Sequence, residues 1–598
     1  MFARSLLAVL GCSAIAAVAA AAGNADTVFR HGKVYTVDAK DRIVSALAVK
    51  EGRIVYVGND AGAARWIGSR TEVVDLKGGF LMPGLIDGHM HPLQGGASLI
   101  KCNLNYEALT VPQFQARIQA CLDKTHEKEP DAWLDVVNWF QTAMLPSGVQ
   151  TTRATLDALR TRRPVIVESS FGHSTLANSR AITLAGISAK TPDPLGGKIA
   201  RDAAGNPSGL FEDSAQQALR DKLPKPTPAD DLAAARATLP ALAKQGITSF
   251  LDAVATPEAM TAYTTLQQRG ELTVRAHFAP VITPPEGADP AKAIAAVKAL
   301  AQRFDQGALR PQPGVTVRNI KLFMDGVIAG PAFTGAMLEP YWVNHGTAQA
   351  PAWGPGPSRG PAVYFPPPTL AALVTGLAEA GLDPHLHADG DAGVRAALDA
   401  VAAMRAKHPD LDIRPAIAHD EIVHPDDFSR YASLNVTPVL SLQWGKPASD
   451  TIDESRDFMG PARFRMLEPA GFLQAAGARI AYGSDWPVDP LDEWFALKVG
   501  VTRTNTASMQ AKYPGRLGDD VGLSRATVLR AITHNSAYEL HQDRETGSLE
   551  VGKLADLILL DRDPLRIPPE DIANVQVLRT VLGGRTVYRR EPAGAPDR

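Results

Sequence analysis

Between residues 81 and 482, short apolar runs alternate with longer Ala- and Leu-rich stretches, and this alternation limits the folds open to the chain. Strand-like runs separated by helical stretches build parallel sheets, because a parallel neighbour needs a crossover to bring the chain back. Eight such runs can be selected: Leu81–Ile86, Ile247–Ala253, Thr273–Ala279, Val317–Phe323, Asp383–Leu386, Pro415–Ala418, Val436–Leu442 and Arg479–Tyr482. Eight is the number a TIM-type (β/α)8 barrel needs. The expected fold class is therefore α/β with such a barrel as its main body. Chemistry in a barrel of this kind sits at the carboxyl ends of the strands, so site residues belong there.

The two chain ends look different. Residues 26–37, 46–58 and 71–76 are β-branched or alternating, with a hairpin turn at Glu51 and Gly52. Residues 546–560 and 575–588 repeat that style. Neither end is long enough for a comfortable core of its own. They are expected to pack together, giving residues 23–79 and 545–598 as two parts of one small β-sandwich and residues 80–544 as the barrel. The stretch from about 99 to 244 carries its own elements, Phe114–Leu122, Trp133–Trp139, Val165–Ser170 and Ala215–Leu219, and reads as an insertion subdomain after the first barrel strand. Residues 344–368 are crowded with Gly and Pro; they read either as a lid or substrate wall or as a solvated linker.

Arg4 supplies one positive charge, and Leu6 to Ala22 is apolar or small. That order makes a secretory signal over residues 1–22, which places the mature protein in the periplasm or outside the cell. Anchoring as a lipoprotein through Cys12 is the other reading. No later stretch is long and apolar enough for a stable membrane span. After cleavage only Cys102 and Cys121 remain, and they either pair in an oxidising compartment or stay as two buried thiols. The 598 residues are 45% apolar and 21% charged, enough for a sizeable core. A net charge of -3 argues against nucleic acid or an anionic membrane as the main partner.

The run from Phe80 ends in His89 and His91. Residues two apart on a strand point to one side, so two imidazoles there can hold one ion; the alternative is a pair of ordinary histidines. Lys321 stands in an apolar strand, where a charged amine is costly to bury unless it pairs, for instance with Asp325. His385 and His387 follow the fifth run, His419 ends the sixth and Asp485 follows the eighth.

Pro83 to His91 resembles the opening metal motif of the amidohydrolase superfamily, and Gly547 to Asp556 resembles its closing signature. Residues 164–173, 177–181 and 194–197 resemble the insertion of one branch, the amidohydrolase-3 or YtcJ-like group. Asn319–Gly326, His387–Asp391 and Gly483–Pro487 resemble that branch's V-K-x-F-x-D-G, H-A-x-G-D and G-S-D-x-P motifs. The resemblance implies that His89, His91 and Asp485 hold one zinc-like ion and that His387 and His419 hold a second. Lys321, carboxylated by CO2, would then bridge the two. His385 falls outside the motif and reads as a supporting or structural residue, and His424 as the start of the next helix. Imidazole and carboxylate donors suit Zn and equally Mn, Fe or Co, as one ion or two.

Asp485 is the expected catalytic residue: it orients the metal-activated water, takes its proton and later gives it to a leaving amine. His173 reads either as a substrate-facing donor or as a packing histidine. The expected function is a secreted metal-dependent amidohydrolase that cleaves an amide-type C–N bond of a small molecule. The alternatives are ester, lactone or phosphoester hydrolysis on the same centre, and a non-catalytic periplasmic binding protein.

Overall fold

The computed structural model describes residues 24–591, apart from residues 126–128, 130, 147, 171, 173, 195–196 and 331. The signal segment, Cys12 and His173 therefore lie outside the described residues. Eight strands carry the main body: β1 (Leu85–Met90), β2 (Ile247–Ala255), β3 (Arg275–Pro280), β4 (Asn319–Phe323), β5 (Asp383–Ala388), β6 (Ala416–His419), β7 (Thr437–Leu440) and β8 (Ala481–Tyr482).

All pairings among them are parallel. β1, β2 and β3 form one arc, and β4, β5, β6, β7 and β8 form another. The arcs meet at two seams. At one, Val315–Val317 pairs with β3, and after Arg318 the same chain continues as β4 and pairs with β5. Ile282 N also donates to the Lys321 carbonyl at 2.9 Å. At the other seam, Asp485 N donates to the His89 carbonyl at 2.8 Å. A Cβ on Gly483 would stand 2.4 Å from the Cβ of His89, so only glycine lets β8 approach β1 this closely. The sequence suggested one closed ladder. The structure has an α/β body of two parallel arcs, because the fourth strand changes partners at Arg318 and β8 is only two residues long.

The first apolar run also divides. Phe80–Pro83 pairs with Leu557–Leu560 and Lys33–Tyr35, whereas β1 starts one residue after Gly84 and pairs with β2. Phe80–Pro83 thus sits inside a six-stranded sheet built from both chain ends, in the order 585–589, 577–582, 557–560, 80–83, 33–35, 43–44. A second sheet of four strands comes from the amino-terminal end alone. Phe29, Val34, Leu47, Leu81, Leu557 and Val581 share one buried cluster between them, so neither end makes this core alone. The Arg275 guanidinium at the start of β3 meets the Asp556 carboxylate through Nε at 2.7 Å and Nη2 at 3.0 Å, with both side chains almost fully buried. This pair ties the terminal sheets to the amino-terminal ends of the strands, opposite the site.

Residues 102–213 form one six-stranded mixed sheet. It has apolar clusters of its own, around Phe114 and Trp139 on one side and around Ile166 and Phe211 on the other. Its long helix, Val111–Lys124, begins where Thr110 and Gln113 cap each other's backbone N–H groups, with Pro112 in the first turn. Cys102 and Cys121 are joined by a disulfide that fastens this helix to the edge strand Cys102–Asn103. Among the described residues no helix is long and apolar enough to cross a membrane.

Candidate metal centre

The carboxyl ends of β1, β4, β5 and β6 and the turn after β8 converge on the floor of a cavity of about 660 Å³. His91 Nε2 lies 2.9 Å from Asp485 Oδ1, and His89 Nε2 lies 3.4 Å from the same oxygen. Lys321 Nζ is 3.4 Å from His89 Nε2. The His89 and His419 ring centres are 4.7 Å apart, and those of His387 and His419 are 4.6 Å apart. All six residues singled out in the sequence therefore line one cavity, including both members of the H-x-H pair, whose period-two spacing turns them to one side.

The donors fall into two groups, His89, His91 and Asp485 in one and His387, Asp389 and His419 in the other. Asp485 Oδ1, His419 Nδ1 and Asp389 Oδ1 are buried without a hydrogen-bond partner among the described residues. Buried polar atoms are normally satisfied. Two ligands about 2.0–2.2 Å from one tetrahedral ion lie roughly 3.3–3.6 Å apart; the 3.4 Å between His89 Nε2 and Asp485 Oδ1 matches, and the 2.9 Å to His91 Nε2 is shorter, as for a direct contact. The residues thus fit a divalent ion. His387 Nε2 is 3.0 Å from the Gly326 carbonyl and must donate to it, so in the neutral ring Nδ1 carries the lone pair.

Backbone strain marks the same place. His419 has φ 82° and Asp485 φ 56°, left-handed conformations that cost a non-glycine residue about 1–3 kcal/mol in sparsely populated regions and persist where surroundings enforce them. Asp87 helps enforce the second: its Oδ1 accepts from His89 N at 3.0 Å and from Ser484 N at 3.1 Å, across the seam.

Burial, with Lys321 next, holds the His89 imidazole well below its usual range. Burial takes His387 down to about 3 and also lowers His419. These rings stay neutral and keep their lone pairs. Burial raises the Asp485 carboxyl, but the adjacent His91 outweighs it and the net shift is downward. Asp389 goes the other way: burial, then the Glu421 charge, pushes it well above the usual carboxylate range. Burial lowers the Lys321 ammonium to about 7. Asp325 does not pair with it. Its oxygens accept from Ala336, Asp389 and Gly390 backbone N–H groups at 2.8, 3.0 and 2.9 Å.

Other sequence candidates settle away from the floor. His385 Nε2 contacts His89 Nδ1 at 2.8 Å, behind the ligands rather than among them. His424 accepts from Asp426 N at the start of the following helical turn. Among the described residues, none of 344–368 lines the cavity; a short hairpin pairing Trp342–Asn344 with Trp353–Pro355 occupies part of that stretch. The wall comes instead from the insertion, through Gln141, Met144, Val149 and Leu210, and from the segment Trp444–Glu454. Sequence reasoning missed Asp389, Glu421 and Trp444. Asp389 lay between motif positions in His387–Asp391, and Trp444 stacks on His419 at 5.3 Å from a segment with no motif.

A family model described as Amidohydrolase family matches residues 72–588. The exoenzymes regulatory protein AepA of Pectobacterium carotovorum subsp. carotovorum is 30% identical over 448 residues, 71% of this chain and 88% of that protein. The N-substituted formamide deformylase of Arthrobacter pascens is 24% identical over 575 residues, 94% of this chain and 98% of that one. A solved structure titled as an uncharacterized metal-dependent hydrolase from Pyrococcus horikoshii shares the fold, with a TM-score of 0.69 at 22% identity over 91% of this chain and 99% of that one. Fold, site and family together define a metal-dependent hydrolase. The chain belongs to the amidohydrolase family.

Proposed function

We propose that this chain hydrolyses an amide-type C–N bond in a small molecule, using one or two divalent ions, zinc first among them, held by His89, His91, Lys321, His387, His419 and Asp485. The observation that carries the reading is buried Asp485 Oδ1 with two imidazole nitrogens turned to it on the cavity floor, His91 Nε2 at 2.9 Å and His89 Nε2 at 3.4 Å. When bound, the ion supplies a Lewis acid and makes a water acidic near neutral pH. Asp485 orients that water, takes one proton as the oxygen adds to the substrate carbonyl carbon, and returns it to nitrogen as the C–N bond breaks. Its lowered pKa suits the first task, because the carboxylate is ionised and ready to accept.

Lys321 is carboxylated in the loaded enzyme: its neutral nitrogen adds to the carbon of CO2 and loses a proton. Burial that brings the amine down to about 7 supports this, since a sizeable share is then neutral. So does the absence of a carboxylate within ion-pair distance of it among the described residues. The two arcs act as halves of one TIM-type barrel, a reading supported by their eight parallel strands and by ligands gathered at one end. The enzyme works in the periplasm or outside the cell, which the apolar stretch Leu6–Ala22 and the Cys102–Cys121 disulfide support.

The test is metal analysis of the purified protein together with a panel of small amides, N-substituted formamides and esters. The likeness to the formamide deformylase argues for including formamides. Chelation should abolish hydrolysis of at least one C–N substrate, and zinc should restore it. Cleavage confined to esters would overturn the choice of bond, and a metal-free protein would overturn the centre.

A further inference from the structure

Behind the metal floor, away from the cavity, three buried side chains stand in a row. His89 Nδ1 lies 2.8 Å from His385 Nε2, and His385 Nδ1 lies 3.1 Å from Glu539 Oε1. Neither His385 nor Glu539 has measurable exposure. His385 Nδ1 is the group facing Glu539 Oε1, and Oε2 has no hydrogen-bond partner among the described residues. Ile86, Leu251, Ala279, Ala537 and Leu540 form a buried apolar cluster on the flanking elements, and the Asp87 and Asp383 carboxylates stand near enough to act on Glu539. A carboxyl placed there is costly unless it pairs, and packing alone would favour leucine.

The adjoining strand makes room for it. A Cβ on Gly88 would stand 2.3 Å from Glu539 Oε2, so the glycine between Asp87 and His89 is the residue that admits the carboxyl behind β1. None of the cavity chemistry uses these groups. The recorded hydrogen bond linking them to it runs to His89, whose other nitrogen, Nε2, faces Asp485 and Lys321.

We propose that Glu539 and His385 form a buried positioning pair that holds the His89 imidazole with Nε2 turned to the metal. The direction of the proton chain follows from its two ends. Burial, with the Asp87 charge next, raises the Glu539 carboxyl well above its usual range, but its Oε1, 3.1 Å from His385 Nδ1, accepts that N–H whether or not Oε2 carries a proton. His385 Nε2 is then the acceptor for His89 Nδ1–H. The His89 proton is fixed on Nδ1, and Nε2 is left as a lone pair beside Asp485. The same arrangement removes His385 from the ligand set, because its Nε2 is occupied by His89. A histidine ligand oriented by a carboxylate is a general device at metal sites; here a second imidazole is interposed, so the carboxyl lies one ring further back. This inference rests on the metal centre proposed above.

The test compares parent, Glu539→Leu, Glu539→Gln and His385→Phe, each freed of metal and titrated with cobalt(II). Affinity and the visible absorption band are read, and thermal unfolding of the metal-free forms is followed in parallel. Glu539→Leu should weaken cobalt binding by about 10–100-fold and shift the band. Glu539→Gln should lose less, because its amide oxygen still accepts. The metal-free forms should unfold close to the parent, since leucine suits the apolar cluster. Should Glu539→Leu fail to fold, His385→Phe keeps the ring shape and carries the same expectation. Binding within about twofold of the parent, with an unmoved band, in whichever of Glu539→Leu and His385→Phe folds would overturn the pair while leaving the metal centre standing. A parent that binds no divalent ion would instead overturn the centre and this inference with it.

Discussion

The floor of the cavity and the wall that faces it are built on different physical terms. The floor takes one or two side chains from each of several strand ends and buries them, so that His89, Lys321, His387, His419 and Asp485 are all less than one-tenth exposed. No local segment could hold that arrangement; the parallel arcs fix it from below. The insertion's share of the wall, including Gln141, Met144, Val149 and Leu210, belongs to a sheet with its own apolar clusters and its own disulfide, whereas Trp444–Glu454 comes from the main body. The insertion's share can be altered or loosened without moving the strand ends. The difference teaches that in this chain the reaction and the choice of substrate are carried by separately stabilised parts.

The largest effect should come from the floor. Asp485→Asn keeps the shape, removes the proton carrier and weakens the ion, and kcat on the best amide of the panel should fall by about 10²–10⁴-fold or more. Lys321→Ala should lose the second ion and nearly all hydrolysis, with partial return on adding a short carboxylic acid, and Lys321→Arg should fail as well. Metal analysis of both variants checks this, and full metal content in Lys321→Ala would remove the bridging role. The floor would then hold its metal without the strand end that carries Lys321.

The next effect concerns what holds the floor in place. Asp556→Ala leaves the Arg275 guanidinium buried without its carboxylate and should cost about 3–5 kcal/mol in urea unfolding. If the terminal sheets were mere appendages, this change would leave the metal-bound body as stable as before.

On the wall, replacing Cys102 and Cys121 by serine opens a loop whose ends lie 19 residues apart. That should cost about 3 kcal/mol. Limited proteolysis should then cut first within 102–213, while metal affinity stays at the parent value. A loss of metal in this variant would break the separation of wall from floor.

The smallest effect is at the cavity mouth. Burial, with Asp450 beside it, raises the Glu454 carboxyl to about 7. The folded chain binds this proton more tightly than the unfolded chain does. Its contribution is therefore full below the unfolded pKa and is lost as pH rises through about 7. With allowance for partial exposure, the metal-free protein should lose about 1–2 kcal/mol between pH 5 and 8 through this group, and Glu454→Gln should flatten that slope. Thermal unfolding across that range measures it, and an identical slope in both proteins would refute the assignment.

The sequence by itself determined which six residues meet on the cavity floor and the alternation that carries them. His89 and His91 are legible because a strand repeats every two residues, so spacing alone puts both rings on one side. Lys321 is legible because a lone amine in an apolar strand needs an explanation. Only the tertiary structure decided how those strands join and what surrounds them. The opening run splits at Gly84 because one half finds partners near residue 558 and the other near residue 249, and no local signal separates the two. The cavity wall comes from the insertion rather than from the Gly- and Pro-rich segment after residue 344, because composition reports that a segment is irregular but not which way it packs. Asp389 and Asp485 are the same residue at similar depth, yet burial beside Glu421 raises one and His91 lowers the other. Glu539 lies 154 positions from His385 in the chain and acquires a role only when folding brings them 3.1 Å apart. Periodicity and polarity act within a few residues; charge state, cavity shape and support of a ligand from behind depend on contacts between distant segments.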